Sequence, residues 1–171
     1  MVAKIDISVR QMVDTDVDRV LDLENKSYQH PWDIDTLTNL FFDENVSSKV
    51  AEVNNKVEAY NFYSVNEKYY QIINLTVNPK KRRKKIATYL IADMFRTDLN
   101  NIYNSSIDAW VNETKLPMLM LLKKNEFKAI GIAKYLFGEE DGILMRFSTN
   151  NDRNIPEEYL EMLSKVDYIE L

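Results

Sequence analysis

The stretch that most constrains the fold runs from Tyr70 to Leu90 and reads YQIINLTVNPKKRRKKIATYL. Ile72, Ile73, Leu75 and Val77 make an apolar, β-branched run that stops at Asn78-Pro79, which predicts a strand ending in a turn. Six consecutive cations follow, Lys80 to Lys85. Ile86, Ala87, Leu90, Ile91, Met94 and Phe95 then recur at helical spacing. A helix that starts straight after such a turn presents unpaired N–H groups and about half a positive charge, a favourable place for phosphate. The plainer reading is a solvated charge run, or a basic patch for nucleic acid. The position of the run between strand and helix favours the phosphate site.

The rest of the composition narrows the possibilities. The chain has 171 residues and a net charge of −5, which argues against general affinity for nucleic acid and sets the local basic run apart. It is long enough for one domain with a full core. Without cysteine there are no disulfides, thiolate metal sites or cysteine nucleophiles, a composition compatible with the cytoplasm. His30 is the only histidine, so a histidine triad has one candidate and a zinc cluster none. The three glycines, Gly131, Gly138 and Gly142, exclude a glycine-rich P-loop or dinucleotide turn. No run is long and apolar enough to span a membrane, and no signal-peptide core is expected at the N-terminus.

Read in order, Lys4 to Met12 alternates as a strand. Asp14 or Thr15 is expected to cap a helix carrying Val17, Val20, Leu21, Leu23 and Glu24, broken at Pro31. Asp33 caps a second helix. Ser47–Val53 and Val57–Val65 form a hairpin about Asn54-Asn55. Lys68–Val77 is the central strand, and the helix after the basic turn ends near Leu99. Ser105–Val111 is a strand, and Thr114 caps a helix with Pro117 in its first turn. Phe127–Phe137 and Ile143–Phe147 close the order as an antiparallel pair. A domain over residues 1–147 is expected, with 148–171 as an extension: a linker to Ile155, a short helix over Pro156–Val166 and a loose end from Tyr168. The order β-α-α-β-β-β-α-β-α-β-β implies an α/β sheet.

That order, with Tyr70–Leu90 at its centre, resembles the GNAT acyltransferases, and within them the RimI-type ribosomal-protein alanine N-acetyltransferases. The opening of that family has Arg-x-Met, then an Asp-led helix running into Glu-x-x-Ser-aromatic and Pro-Trp. Here these are Arg10, Met12, Asp16, Glu24, Ser27, Tyr28, Pro31 and Trp32. Val57-Glu58-Ala59-Tyr60 stands for Val-x-Gly-Tyr, and Asn74 to Pro79 resembles Asn-Ile-Ala-Val-x-Pro. Glu140-Asp141 followed by Met145 fits the closing strand. The resemblance implies a mostly antiparallel seven-stranded sheet with helices on both faces and a splayed central strand. It implies acetyl-CoA as acetyl donor and an amine acceptor, most simply a protein or peptide α-amine, with no metal. The pantetheine arm would pair with Leu75, Thr76 and Val77. The pyrophosphate would lie on Arg82, Arg83, Lys84, Lys85, Ile86, Ala87 and Thr88, where Lys85 replaces the first glycine of Gln/Arg-x-x-Gly-x-Gly/Ala. Lys115 falls where an asparagine meets the cofactor. The acceptor would be met by Glu24, Tyr28 and Trp32, although Trp32 also reads as a residue packed on the sheet, and Tyr60 and Tyr63 as sheet-packing residues.

The catalytic positions depart from the pattern. Trp110 stands at the glutamate base of the RimI-type enzymes and Leu122 at their tyrosine acid, while Gln71 falls near the base position of other GNAT members. Asp108, Tyr69 and Tyr135 are the alternative catalytic groups, Asp108 because it shares a strand face with Trp110. An α-amine with pKa near ~7.7–8.0 needs a base less than a lysine near ~10.4 does, and a thiolate near ~8.5 leaves with little help. Positioning and an oxyanion-binding N–H from Val77 would then carry much of the rate. Two other readings follow from the same residues: a GNAT-fold module that binds CoA or a protein without turnover, and a nucleic-acid binder using the basic run.

Overall fold

The computed structural model describes residues 6–66, 69–97, 106–148, 163–165 and 167–171. Among them are eight strands and four helices in the expected order, with one strand added at the end. They fall into two units.

The first unit holds β1 (Ile7–Gln11), α1 (Val17–Ser27), α2 (Ile34–Phe42), β2 (Val46–Val53), β3 (Lys56–Val65), most of β4 (Tyr69–Val77) and α3 (Ile86–Thr97). Its strands lie in the order β1-β2-β3-β4, with β1–β2 and β2–β3 antiparallel. Asn54 and Asn55 have φ of 51° and 62°, the two left-handed residues that a two-residue hairpin turn demands, and asparagine tolerates that region. Asp33 caps α2 as expected, its carboxylate accepting from the Thr36 N–H at 2.8 Å. The start of α1 differs from expectation. Asp14–Asp16 forms a 3-10 turn, and it is Asp16 that organises it, accepting from the Val13 N–H at 2.9 Å while Arg10 donates to both its oxygens. The helix ends at Ser27, where the stretch Tyr28 to Trp32 is expected to break it.

Two apolar clusters hold this unit. Val20, Leu23 and Leu37 of the helices pack with Val50, Tyr60 and Phe62 of the strands. Ile86 and Leu90 of α3 pack with Ala51, Val53 and Ala59, and Leu75 and Val77 lie against them.

The second unit holds the first residues of β4, then β5 (Ser106–Asn112), α4 (Leu116–Lys124), β6 (Lys128–Phe137), β7 (Glu140–Ser148) and β8 (Tyr168–Glu170). Here β7 lies between β5 and β6, and both pairings are antiparallel. Pro117 sits in the first turn of α4 as expected, but Thr114 is not its cap: Lys115 holds that position, while the N–H and hydroxyl of Thr114 both donate to Asn112 Oδ1. The end of the chain is also a correction. Tyr168–Glu170, expected as a loose end, is an eighth strand paired antiparallel with β6. The bare Cα of Gly131 leaves room for the Tyr168 ring; a Cβ there would lie 2.1 Å from the Tyr168 hydroxyl. The linker expected over 149–155 and most of the helix expected over 156–166 lie outside the described residues.

Candidate active site

The site begins at the end of β4. Asn78 is buried there, with its amide donating to Glu58 Oε2 at 2.5 Å and its backbone N–H to the Glu58 carbonyl at 2.8 Å. Glu58 is in turn bound by Arg19 of α1 at 2.9 Å. This anchor fixes where the basic turn starts. Asn78 Oδ1 accepts from the Lys80 N–H at 3.1 Å and opens a 3-10 turn over Pro79–Lys81, which the sequence pattern did not reveal. Arg82 folds back, its Nε donating to the Val77 carbonyl at 3.2 Å.

Arg83 and Lys85 then take φ of +65° and +63°. These are left-handed values, which a side-chain-bearing residue adopts at a cost of about 1–2 kcal/mol. Lys85 occupies the position where the resembling family has glycine, and it keeps the glycine-like backbone. Ile86 behind it is buried and anchors α3, while Arg82, Arg83, Lys84 and Lys85 are all exposed. Among the described residues no carboxylate pairs with any cation from Lys80 to Lys85. The turn therefore offers positive charge and a helix start to an anion.

The strand before it presents two different faces. Leu75 and Val77 pack on the α3 cluster, whereas Thr76 is buried among polar groups from α1, β3 and the α1–α2 loop. The Tyr28 hydroxyl bonds Thr76 Oγ1 at 2.8 Å and Asn74 Oδ1 at 3.2 Å. The Thr76 hydroxyl donates to Asn74 Oδ1 at 2.7 Å. Tyr60, fully buried, donates a short hydrogen bond to Glu24 Oε2, and the Asn74 amide lies 3.3 Å from the Tyr60 hydroxyl. The other Glu24 oxygen accepts the Trp32 backbone N–H at 3.1 Å. Burial, together with the bond to the Glu24 carboxylate, pushes the Tyr60 phenol far above the ordinary tyrosine value. Desolvation also raises Tyr28, opposed by its bond to Thr76.

The structure thus brings together Glu24, Tyr28 and Thr76 from the sequence-derived set. It adds Asn74, present in a matched motif but read there only as pattern, and Tyr60, read from the sequence as a sheet-packing residue. The indole of Trp32 packs on Phe62 with centroids 6.5 Å apart, as its sheet-packing reading expects. Glu24 is 2 % exposed and Tyr28 39 %, so the cluster runs from the surface to a buried carboxylate.

In the second unit, Asp108 is fully buried, and both its oxygens are held by Arg146, at 2.6 and 2.7 Å. Trp110 packs into an apolar cluster with Tyr69, Ile130, Leu144 and Tyr168, and Leu122 is fully buried. Both family catalytic positions are therefore filled by packing residues. Tyr135 is 68 % exposed on β6 at φ +56°, and its N–H donates to Asp141 at 3.0 Å. Lys115 is exposed at the start of α4. Among the described residues no three acidic or histidine side chains gather as a metal site.

Solved acetyltransferase structures share this arrangement. The ribosomal-protein-S18-alanine N-acetyltransferase of Escherichia coli superposes with a TM-score of 0.74 at 17 % identity, over 89 % of this chain and 97 % of that one. The fold is that of the GNAT acetyltransferases. Arabidopsis thaliana NAA60 in complex with acetyl-CoA superposes with a TM-score of 0.73 at 15 % identity, over 85 % of this chain and all (100 %) of its own. The same enzyme in complex with a bisubstrate analogue gives a TM-score of 0.72 at 14 % identity, over 86 % and 100 %. No family model matches the chain, and no curated protein matches it.

Proposed function

We propose that this chain is an acetyl-CoA-dependent N-acetyltransferase acting on the α-amine of a protein or peptide in the cytoplasm. The observation that carries this reading is the turn after β4. Lys85 holds a left-handed backbone that only a specific turn geometry requires, and it is one of four consecutive exposed cations from Arg82 to Lys85. Leu75, Thr76 and Val77 would pair with the pantetheine arm, and Arg82–Thr88 with the pyrophosphate. Glu24, Tyr28 and Trp32 line the acceptor side. When bound, acetyl-CoA supplies an activated acetyl group; the chain's own part is to hold the thioester carbonyl near the Val77 N–H and to place a neutral amine against it. The likeness to an alanine N-acetyltransferase and to NAA60 supports a peptide acceptor, with ribosomal proteins one source.

Thermal unfolding with acetyl-CoA, CoA and ATP tests the cofactor half. A hundredfold excess of ligand over Kd adds about 2.7 kcal/mol, a rise of about 5–10 °C for a chain of this size. A rise with acetyl-CoA and CoA but not with ATP supports the reading; no rise at millimolar cofactor overturns it. A second reading is favoured by one observation: Trp110 and Leu122 stand as packed apolar residues where acid–base groups are expected. On that reading the chain binds CoA or a protein partner without turnover, and the cofactor would stabilise it while no amine was acetylated.

A further inference from the structure

The outermost strand of the first unit, β1, has an open edge. Asp6 accepts from the Asn54 N–H at 3.1 Å, and the Met12 N–H donates to the Ser48 carbonyl at 3.0 Å. Antiparallel pairing alternates, so Asp6, Ser8, Arg10 and Met12 direct their main chain to β2, while Ile7, Val9 and Gln11 direct theirs away from it. Among the described residues no strand takes up that outer side. The Gln11 carbonyl there accepts from the Arg10 guanidinium at 3.1 Å. Ile7, Ser8 and Val9 in succession line a groove of about 420 Å³. Consecutive strand residues point to opposite faces, so all three can line one groove only where it opens along the edge of the strand. The other wall is a stripe of α3, Tyr89, Ala92, Asp93 and Arg96, at helical spacing. The usual guards of a free edge are missing. β1 has no proline, lysine or bulge, and its one charge, Arg10, is drawn back to Asp16 and Glu52. The edge strand of the second unit, β8, is guarded by its length of three residues.

We propose that this edge pairs with the β1 edge of a second copy of the chain, antiparallel about a twofold axis at Val9. The second copy presents the same outward groups on a strand that is already extended, so pairing orders no flexible peptide. Overlap and charge set the register. Centred on Val9, all five residues of β1 pair: Val9 exchanges two hydrogen bonds with its counterpart, Ile7 meets Gln11, and Ser8 stands opposite Arg10. Centred on Arg10, two guanidinium groups would oppose each other directly, which destabilises a sheet. Centred on Ser8, Gln11 would be left without a partner strand. The helix agrees with this register. Ile86 and Leu90 pack with Ile7 and Val9, and further along α3 Asp93 lies 3.3 Å from the ammonium of Lys49, the β2 partner of Gln11. α3 and β1 therefore run in the same sense. Tyr89 precedes Asp93 by about 6 Å of helix, and Val9 precedes Gln11 by about 6.6 Å of strand. Tyr89 thus stands level with Val9, at the axis, where its half-exposed ring faces that of the second copy.

Sedimentation velocity of the full chain, from low-micromolar to high-micromolar concentration, tests this. We expect the mass to rise from the 20.1 kDa of one chain towards twice that value. Val9→Pro removes an N–H that faces outward, so the β1–β2 ladder keeps its bonds. The twofold turns that one change into two lost hydrogen bonds per dimer, and association should weaken about tenfold or more. Tyr89→Glu sets two carboxylates against each other at the axis and should act in the same direction. The chain has no cysteine, so single cysteines read the register. Counterpart residues at the axis have Cα atoms about 5.5 Å apart, within disulfide reach, so mild oxidation of Val9→Cys should give a covalent dimer. Ser8→Cys is the more exposed site, but its counterpart lies diagonally at about 7–8 Å, and it should give little. A single-chain mass at every concentration overturns the inference. So does a dimer that withstands Val9→Pro, or one that cross-links through Ser8→Cys in preference to Val9→Cys. Thermal unfolding shows that each variant folds; where Val9→Pro does not, Tyr89→Glu on the helix surface decides.

Discussion

Asp108 and Arg146 face each other as direct cross-strand partners on β5 and β7, and both are buried. The carboxylate meets the guanidinium through two parallel hydrogen bonds at 2.6 and 2.7 Å. Such a pair is costly to break on one side only, because the survivor is a buried charge without its partner, a loss of about 3–5 kcal/mol. For a chain of this length each kcal/mol moves the melting temperature by about 2–4 °C, so Arg146→Met is expected to lower it by about 6–20 °C. Asp108→Asn should also be destabilised, since arginine then loses its counter-charge. Removing both charges together is different: Asp108→Leu with Arg146→Met removes both members of the pair, and should cost less stability than either single change. Thermal unfolding of the two singles and the double, with acetyl transfer at a temperature where all are folded, checks this. A structural pair predicts that the double variant recovers both stability and activity. An Asp108→Asn protein that melts like wild type but no longer transfers acetyl would refute the reasoning and make Asp108 the base.

Three further outcomes are expected. Lys85→Gly removes the left-handed penalty of about 1–2 kcal/mol but adds about 0.5–1 kcal/mol of unfolded-chain entropy, so a melting temperature between that of wild type and about 6 °C above it is expected, with weaker CoA binding from the lost cation. Asp16 sits below the ordinary carboxylate value, chiefly because Arg10 donates to it; its folded pKa is lower than its unfolded one. Its contribution is therefore complete above about pH 4 and is lost as pH falls through the folded value, so Asp16→Asn should flatten the acid limb of a stability-against-pH curve below about pH 4. Gly131→Ala places a Cβ 2.1 Å from the Tyr168 hydroxyl, so the Tyr168 ring must move away from β6, and a lower melting temperature than wild type is expected.

The order of elements was legible because it rests on local signals. The Asn54-Asn55 turn, the Asp33 cap and the strand-to-helix switch at Pro79–Ile86 each announce themselves within a few residues. The eighth strand was not legible. Its three residues pair with β6 only because Gly131, far away in sequence, leaves room for the Tyr168 ring. Thr114 looked like a cap by type, but Asn112 already takes both its donors. At the candidate site, Glu24, Tyr28 and the basic turn could be named from motifs. The partnership of Glu24 with Tyr60 could not, because 36 positions separate them and the aromatic pattern of β3 reads equally well as sheet packing. Nor could the sign of φ at Lys85, which decides between a closed turn and a glycine-like one, be read from a lysine.

The measurement that bears most directly on the central claim is acetyl transfer itself. Purified protein, acetyl-CoA and peptides with a free alanine, serine or glycine α-amine, alongside matched peptides whose only amine is a lysine side chain, are followed by mass spectrometry. The gain of one acetyl group on the α-amine peptides, with little on the lysine peptides, is the predicted result. Cofactor-induced stabilisation without acetylation of any amine would contradict it and make the chain a binding module built on an acetyltransferase fold.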